Sequence, residues 1–202
     1  MGDFEGIEFG LIPEERYDEV IHHLRHNFFA DEPLNHAVAL CRPGEPHAEL
    51  EEHSLTTLRD GLSQMAVDTS SGEAKLQTLS DMKFRRIFDL LYGVNGDLDL
   101  FAQHGVDRIF ECRILSVDKR YRGRGLAREL LRRSEETARN AGFKVLKEDA
   151  TGLFSQRVAE SLGLQTVRQV HYADYTSADT GEVLFRPQSP HESLKIMVKL
   201  LQ

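Results

Sequence analysis

The chain has few of the features that mark secreted or membrane-anchored proteins. It contains only two cysteines, Cys41 and Cys112; these are too few for a disulfide framework and favour a reduced, cytoplasmic protein. No apolar run approaches the length of a membrane span. The first residues, "MGDFEGIEFG", lack the basic and apolar regions of a secretory signal. We therefore expect no contact with membranes.

The chain also has fewer basic than acidic residues. It contains 25 Lys and Arg residues and 33 Asp and Glu residues, which gives a net charge of -8. An acidic balance argues against nucleic acid as a partner. The nine histidines, including His22 and His23, form no cluster with metal-ligand spacing, so we expect no metal and place those two on a solvated helix face. The length of 202 residues fits one domain, residues 1–202, which we expect to be a monomer.

What the sequence does contain is an alternation of strand and helix patterns, which predicts a mixed α/β fold. The predicted strands are residues 7–12, 62–68, 108–118, 143–150, 164–175 and 192–201. The predicted helices are residues 13–29, 47–60, 83–94, 97–106, 125–141 and 153–163. Residues 108–118 are nearly continuous in apolar and β-branched side chains, which is typical of a central strand buried on both faces.

One stretch concentrates positive charge and glycine where a strand is predicted to lead into a helix. "SVDKRYRGRGLARELL", residues 116–131, holds five cationic side chains and two glycines, Gly123 and Gly125. The first N–H groups of a helix lack intrahelical partners, and glycine lets a ligand approach them closely. Phosphate fits such a site, and Arg122 and Arg124 can add charge-assisted contacts. The alternative is a basic loop of solvated arginines.

The spacing Arg120-x-x-Gly123-x-Gly125 after "CRILSV" resembles the coenzyme A signature of the GNAT superfamily of N-acetyltransferases. Five blocks in order resemble one family within it, the insect arylalkylamine N-acetyltransferases. These blocks are "NFFADEPLN", "FECRILSVDKRYRGRGLA", "DATGLFSQRVAESLG", "HYADY" and "PHESLKIMVK".

The resemblance implies the GNAT fold: a mixed, mostly antiparallel central sheet flanked by helices and splayed at the central strand pair. It also implies two small-molecule partners, acetyl-CoA as co-substrate and an amine of the dopamine, serotonin, tyramine or octopamine type. The pantetheine arm would pair with the backbone of residues 115–117, and the pyrophosphate would lie on the N–H groups of residues 122–127. The implied coenzyme-binding residues are Leu115, Ser116, Val117, Arg122, Gly123, Arg124, Gly125, Leu126 and Ala127.

The same resemblance implies that Glu32, in "DEPLN", is the base that removes a proton from the amine before direct attack on the thioester. A carboxylate in a proline-bent linker can point into a cleft, and burial there would raise its pKa. The alternative is that Asp31 or Glu32 offers favourable charge at a helix start. The residues alone leave both interpretations open.

In relatives, two hydroxyl residues four positions apart lie near the coenzyme, and here they are Thr151 and Ser155. Ser155 would return a proton to the departing thiolate or hydrogen-bond it. The alternative makes Thr151 a helix N-cap and Ser155 a first-turn residue that bonds backbone.

Phe28 and His191 are candidates for the amine pocket, and the pairs Phe28/Phe29 and Tyr172/Tyr175 can wall an aryl site. Core packing explains the aromatic pairs equally well. Cys112 alternates with apolar strand residues and is predicted to be an inert core thiol.

The chain departs from the family pattern at one place. The resemblance implies a further apolar strand after "MAVDTSSGEA", but here Ala74 is followed directly by "KLQTLSDMKFRRI". Loss of an internal strand would expose a sheet edge. Two other functions stay open: acetylation of another amine, such as agmatine or a polyamine, and coenzyme A binding without turnover.

Overall fold

The computed structural model describes residues 4–68 and 83–201, in which helices and strands alternate as the sequence predicts. The strands are β1 (Ile7–Leu11), β2 (Gln64–Asp68), β3 (Phe110–Cys112), β4 (Val145–Ala150), β5 (Gln165–His171) and β6 (Ser193–Leu200). The helices are α1 (Tyr17–Asn27), α2 (Pro33–Ala37), α3 (Ala48–Arg59), α4 (Lys83–Asn95), α5 (Leu100–His104), α6 (Leu126–Asn140) and α7 (Leu153–Ser161). Among these residues, no helix is long and apolar enough to cross a membrane.

The strands form two sheets. β1 and β2 pair antiparallel, and the other four strands pair in the order β3-β4-β6-β5. Only the β3–β4 pair is parallel in the larger sheet; β4–β6 and β5–β6 are antiparallel. The predicted mixed, mostly antiparallel sheet is confirmed.

Helices cover both faces of the larger sheet, and strand periodicity divides the core between them. On β6, Ile196 joins a core with Ile21 of α1 and Leu90 of α4. The next residue, Met197, joins a second core with Leu131 of α6. This alternation places α1 and α4 on one side of the sheet and α6 on the other.

Local signals explain most helix boundaries. Pro13 precedes a 3₁₀ turn, Glu14–Arg16, so the first α-helix begins four residues later than predicted, at Tyr17. Gly142 and Gly163 follow α6 and α7 with φ of 76° and 84°, a conformation that ends helices.

The strand predicted over residues 108–118 is much shorter than expected. Only Phe110–Cys112 pairs with β4, and these three residues are half-buried rather than buried on both faces. β4 continues to Ala150 against β6, whereas residues 113–117 leave the ladder. The predicted length is wrong because apolar side chains report burial, while a strand also needs a partner for its backbone. The predicted splay at this strand pair is confirmed.

The departure predicted at Ala74–Lys75 lies outside the described residues. Within 4–68 and 83–201, no ladder joins β2 to β3. Residues of both strands instead line one large cavity.

Glu148 is an ionisable residue buried among apolar side chains. It lies on β4 opposite Cys112 of β3 and Met197 of β6, and its side chain faces the core between the sheet and α6. Its exposed fraction is 3% and its Oε2 is buried without a hydrogen-bond partner among the described residues. Burial, with the charge of Asp149, raises the pKa of Glu148 to about 8.

We expect Glu148→Gln to stabilise the protein at neutral and alkaline pH. The folded protein holds this proton up to about pH 8, while the unfolded chain loses it near the ordinary glutamate value of about 4.3. Stability therefore falls as pH rises through that window, and the uncharged amide removes the loss, about 4–5 kcal/mol at pH 8. Urea unfolding of both proteins at pH 4.5 and pH 8 measures the difference.

The exposed Glu182→Gln is the matched control and should leave the free energy of unfolding unchanged at both pH values. An advantage of Glu148→Gln that is equally large at pH 4.5, or absent at pH 8, would contradict the assignment of a buried neutral carboxyl.

Candidate active site

The cavity between β2 and β3 has a volume of about 1980 Å³, and several of the predicted site residues line it. Side chains from α1, from the start of α2, from residues 113–118 and from the end of β4 line it. The predicted site residues on its wall are Phe28, Glu32, Leu115, Ser116, Val117, Leu126 and Thr151. The candidate base and the strand segment expected to pair with the coenzyme therefore face one space.

Glu32 is the N-cap of α2, held by the residues on either side of the bend. Pro33 occupies the first helical position, and Glu32 itself is extended, with φ -61° and ψ 131°. Its Oε2 accepts a hydrogen bond of 2.7 Å from the backbone N–H of Asn35. Its Oε1 is buried and accepts no hydrogen bond of normal geometry within the described parts of the chain. The predicted capping role is therefore confirmed and uses Oε2, whereas the role of Glu32 as a base stays a prediction.

Burial raises the pKa of Glu32 above the ordinary glutamate value. The Thr151 hydroxyl and the backbone N–H groups of Asn35 and Leu34 act in the opposite direction, but the effect of burial is larger. A carboxylate with a raised pKa and a free oxygen in a cavity can accept a proton from a bound group.

Tyr172 supports this corner of the cavity. Its hydroxyl donates a 2.6 Å hydrogen bond to the Thr151 carbonyl, and its side chain is buried. Burial, with the nearby charge of Glu32, raises the pKa of Tyr172, so the phenol stays protonated. Tyr172 thus fixes the backbone of Thr151 beside Glu32.

Ser155 and His191 lie at the start of α7, beside Gly152, and are not among the residues that line the cavity. The Ser155 hydroxyl donates to the carbonyl of Gly152 at 2.9 Å, which matches its alternative structural role. His191 Nδ1 accepts a 3.1 Å hydrogen bond from the Leu153 N–H, and its ring contacts Gly152 closely. The N-cap of α7 is Gly152 rather than Thr151.

The glycine-containing loop before α6 is exposed and open. Asp118 caps a 3₁₀ turn, Lys119–Tyr121, by accepting from the Arg120 N–H at 2.8 Å. Gly123 and Gly125 follow with φ of 79° and 84°, and a Cβ atom added at either would meet no atom of the described residues within 4 Å. Gly125 is the N-cap of α6, and no side chain caps this helix start. Its first N–H groups are therefore accessible to an anion.

The cations of this loop differ in how they are held. Arg122 donates to the Val117 carbonyl at 3.0 Å and pairs with Asp31 at 3.2 Å. Lys119 also pairs with Asp31, at 3.1 Å. The guanidinium of Arg124 lies 5.6 Å from the centre of the Tyr121 ring. The side chain of Arg122 thus bonds residues outside the loop, whereas the side chain of Arg124 lies near Tyr121 of the same loop.

Two residues on the cavity side were missed or misplaced by sequence reasoning. Asn35 was not considered, although its spacing from Glu32 is that of an N-cap pair; its amide also donates to the Phe29 carbonyl at 2.9 Å. His23 was expected on a solvated face, but its Nε2 lies 2.9 Å from the Ser116 hydroxyl. That expectation is wrong because the periodicity of α1 does not reveal the loop that packs against it.

Cys112 behaves as predicted, because it packs against the core beneath α6. Burial and the charges of Glu148 and Glu111 raise the pKa of its thiol well above the ordinary value. A protonated thiol of this kind is a poor nucleophile.

Comparison with known proteins agrees with this geometry. The sequence profile of the Acetyltransferase (GNAT) family matches residues 100–164. The chain is similar to arylalkylamine N-acetyltransferase 2 of Aedes aegypti, with 47% sequence identity and a TM-score of 0.90 over 97% of this chain and 99% of that chain. A mosquito arylalkylamine N-acetyltransferase-like protein, 5b, is 25% identical with a TM-score of 0.82, over 96% and 100% of the two chains.

A polyamine N-acetyltransferase of Drosophila melanogaster shares the fold, with a TM-score of 0.79 over 96% of this chain and 100% of that chain, at 23% identity. The identity over nearly the full length of the first relative is too high for a likeness of fold alone. The chain belongs to the GNAT acetyltransferases and, within them, to the insect arylalkylamine N-acetyltransferase family.

Proposed function

We propose that this protein transfers the acetyl group of acetyl-CoA to the primary amine of an arylalkylamine of the dopamine, serotonin, tyramine or octopamine type. One observation supports this most directly. Glu32, whose Oε1 is buried without a hydrogen bond of normal geometry among the described residues, lines the same cavity as residues 115–117. This chain is also 47% identical to an arylalkylamine N-acetyltransferase.

The residues fit the coenzyme at two places. The uncapped N–H groups at the start of α6 and the open space at Gly123 and Gly125 suit a pyrophosphate. The backbone of residues 115–117 is outside the sheet ladder and can pair with an extended amide-containing arm. Leu115, Ser116, Val117 and residues 122–127 would hold acetyl-CoA, as the sequence motif predicts.

The reaction needs a base because a primary alkylamine is protonated at neutral pH. Acetyl-CoA supplies an acetyl thioester, an acyl donor that an amine can attack directly. Glu32 would take the proton of the ammonium group, either directly or through one water. Its raised pKa suits this task, and the cap at Asn35 keeps the carboxylate oriented. We retain Thr151 and Ser155 as candidates near the leaving group; of the two, Thr151 lines the cavity.

The side chains near Glu32 favour an aryl substrate over a polyamine. Phe28 offers an aromatic ring on the same wall as Glu32. Among the carboxylates that line the cavity, Glu111 and Asp149 are ion-paired with Lys147, so these two offer a second ammonium group little free negative charge. His191, which lies outside this wall, is a less direct candidate for amine binding.

Initial rates with acetyl-CoA and a panel of dopamine, serotonin, tyramine, agmatine and spermidine test the proposal. We expect kcat/KM for the three aryl amines to exceed that for agmatine and spermidine by at least about tenfold. Preference for agmatine or spermidine would reassign the substrate. Coenzyme binding with no turnover of any amine would indicate a binding domain.

We expect Glu32→Gln to lower kcat by about two to four orders of magnitude, the usual contribution of a positioned base. Glutamine keeps the oxygen that accepts from Asn35, so the helix cap survives and the effect reports the base alone. In the unmodified protein, kcat/KM should fall as pH drops through the pKa of Glu32, which lies above the ordinary glutamate value. That acidic limb should disappear in the variant.

Glu32→Ala is the companion variant, because it removes both the base and the cap and should also lower stability by about 1 kcal/mol. A Glu32→Gln protein with kcat within about threefold of the unmodified protein, and with the same acidic limb, would place the base elsewhere.

We expect Gly125→Val to weaken acetyl-CoA binding by at least about tenfold, because its side chain would occupy the open space over the start of α6. Valine at a φ of 84° also strains the backbone. Gly181→Val is the matched control: Gly181 has a φ of 69°, equally open surroundings and no place in the proposed site. Calorimetry should show loss of affinity in the first variant only, with similar falls in Tm in both.

A further inference from the structure

Within the described part of the chain, residues 113–117 make none of the ladder hydrogen bonds that normally hold a strand in place. The ladder between β3 and β4 ends at Cys112 and Glu148, and the following residues of the segment have no ladder partner within the described residues. A free segment of this kind would sample several conformations. Other contacts must therefore keep it in one position.

Those contacts come from α1, which lies alongside the segment. Nε2 of His23 is 2.9 Å from the Ser116 hydroxyl, in the middle of the segment. One helical turn later, Oδ1 of Asn27 accepts from the backbone N–H of Lys119 at 3.3 Å. The backbone carbonyl of Asn27 also accepts from Arg122, at 3.2 Å. The two α1 residues thus hold the segment and the loop after it in register.

Of these contacts, the His23–Ser116 pair acts on the part of the segment that would meet the pantetheine arm. It uses only side-chain atoms, so it does not occupy the backbone N–H and C=O groups of Ser116. Both residues line the cavity, and burial keeps the pKa of His23 below the ordinary value. The imidazole is therefore neutral near pH 7 and forms a fixed hydrogen bond with the hydroxyl.

We propose that His23 is a positioning residue for acetyl-CoA: through Ser116 it holds residues 115–117 in the extended form that pairs with the pantetheine arm. This inference rests on the proposed function, because it needs the coenzyme to bind along this segment. Pre-ordering the segment reduces the entropy that binding would otherwise cost, so the pair should strengthen coenzyme binding without touching the amine.

The test compares His23→Leu, Ser116→Ala and the double variant by calorimetric titration with acetyl-CoA. We expect each single change to raise the Kd for acetyl-CoA about three- to tenfold, the usual value of one neutral hydrogen bond. The double variant should be no weaker than the weaker single variant, since both remove one interaction. The KM for the amine at saturating acetyl-CoA should stay within about twofold.

Two further variants separate positioning from a general effect on stability. His23→Gln should restore the Kd to within about twofold, because its amide can reach the Ser116 hydroxyl as Nε2 does. His22→Leu, at the adjacent position of α1, should leave the Kd unchanged. If Tm falls in His23→Leu while the Kd does not change, the role is structural and the inference is overturned. It is also overturned if the effects of the two single variants add fully.

Failure of the proposed function gives a different result. If the unmodified protein binds no acetyl-CoA, the coenzyme site itself is misassigned. If it binds acetyl-CoA normally, and folded His23→Leu and Ser116→Ala bind it equally well, only the inference about His23 fails.

Discussion

The point where β3 stops pairing with β4 determines most of the candidate active site. The β3–β4 ladder ends at the pair Cys112–Glu148. Beyond it, β4 continues to pair with β6, while residues 113–117 diverge from β4. Backbone polar groups that leave a ladder must find other partners. Among the described residues, the partners that residues 116–122 find include side-chain and backbone groups of α1.

The loop after this segment makes contacts with α1 and Asp31 in its first half and has open surroundings at the two glycines of its second half. Arg122 and Lys119 bond the end of α1 and Asp31, whereas Gly123 and Gly125 carry positive φ angles and bear no contacts that a Cβ would disturb. The first half aligns the loop with α1. The second half leaves the first N–H groups of α6 exposed, where the helix dipole favours an anion.

Asp31 and Glu32, which are adjacent at the turn between α1 and α2, have different surroundings. Asp31 pairs with loop cations outside the cavity, and Glu32 points into it. Because Pro33 prevents a helical conformation at Glu32, the carboxylate is placed where it caps α2 with one oxygen. Capping and base chemistry are compatible here because a carboxylate has two oxygens, and the cap uses only Oε2.

Features that depend on neighbouring residues could be predicted from the sequence. The bounds of α6, the glycines that end helices, the bend at Pro33 and the Arg-x-x-Gly-x-Gly loop follow from propensity, capping and steric rules that act over a few positions. Family resemblance then pointed to Glu32 and to the coenzyme loop.

Features that depend on partners distant in the chain became visible in the three-dimensional structure. The apolar run over 108–118 did not reveal that its pairing stops at Cys112, because ladder length depends on where β4 diverges. Nor did it reveal that His23 meets Ser116, 93 residues away. The raised pKa of Glu32 agrees with the expectation from its place beside Pro33, and the structure adds the partners that oppose it, Thr151 and the backbone N–H groups of Asn35 and Leu34.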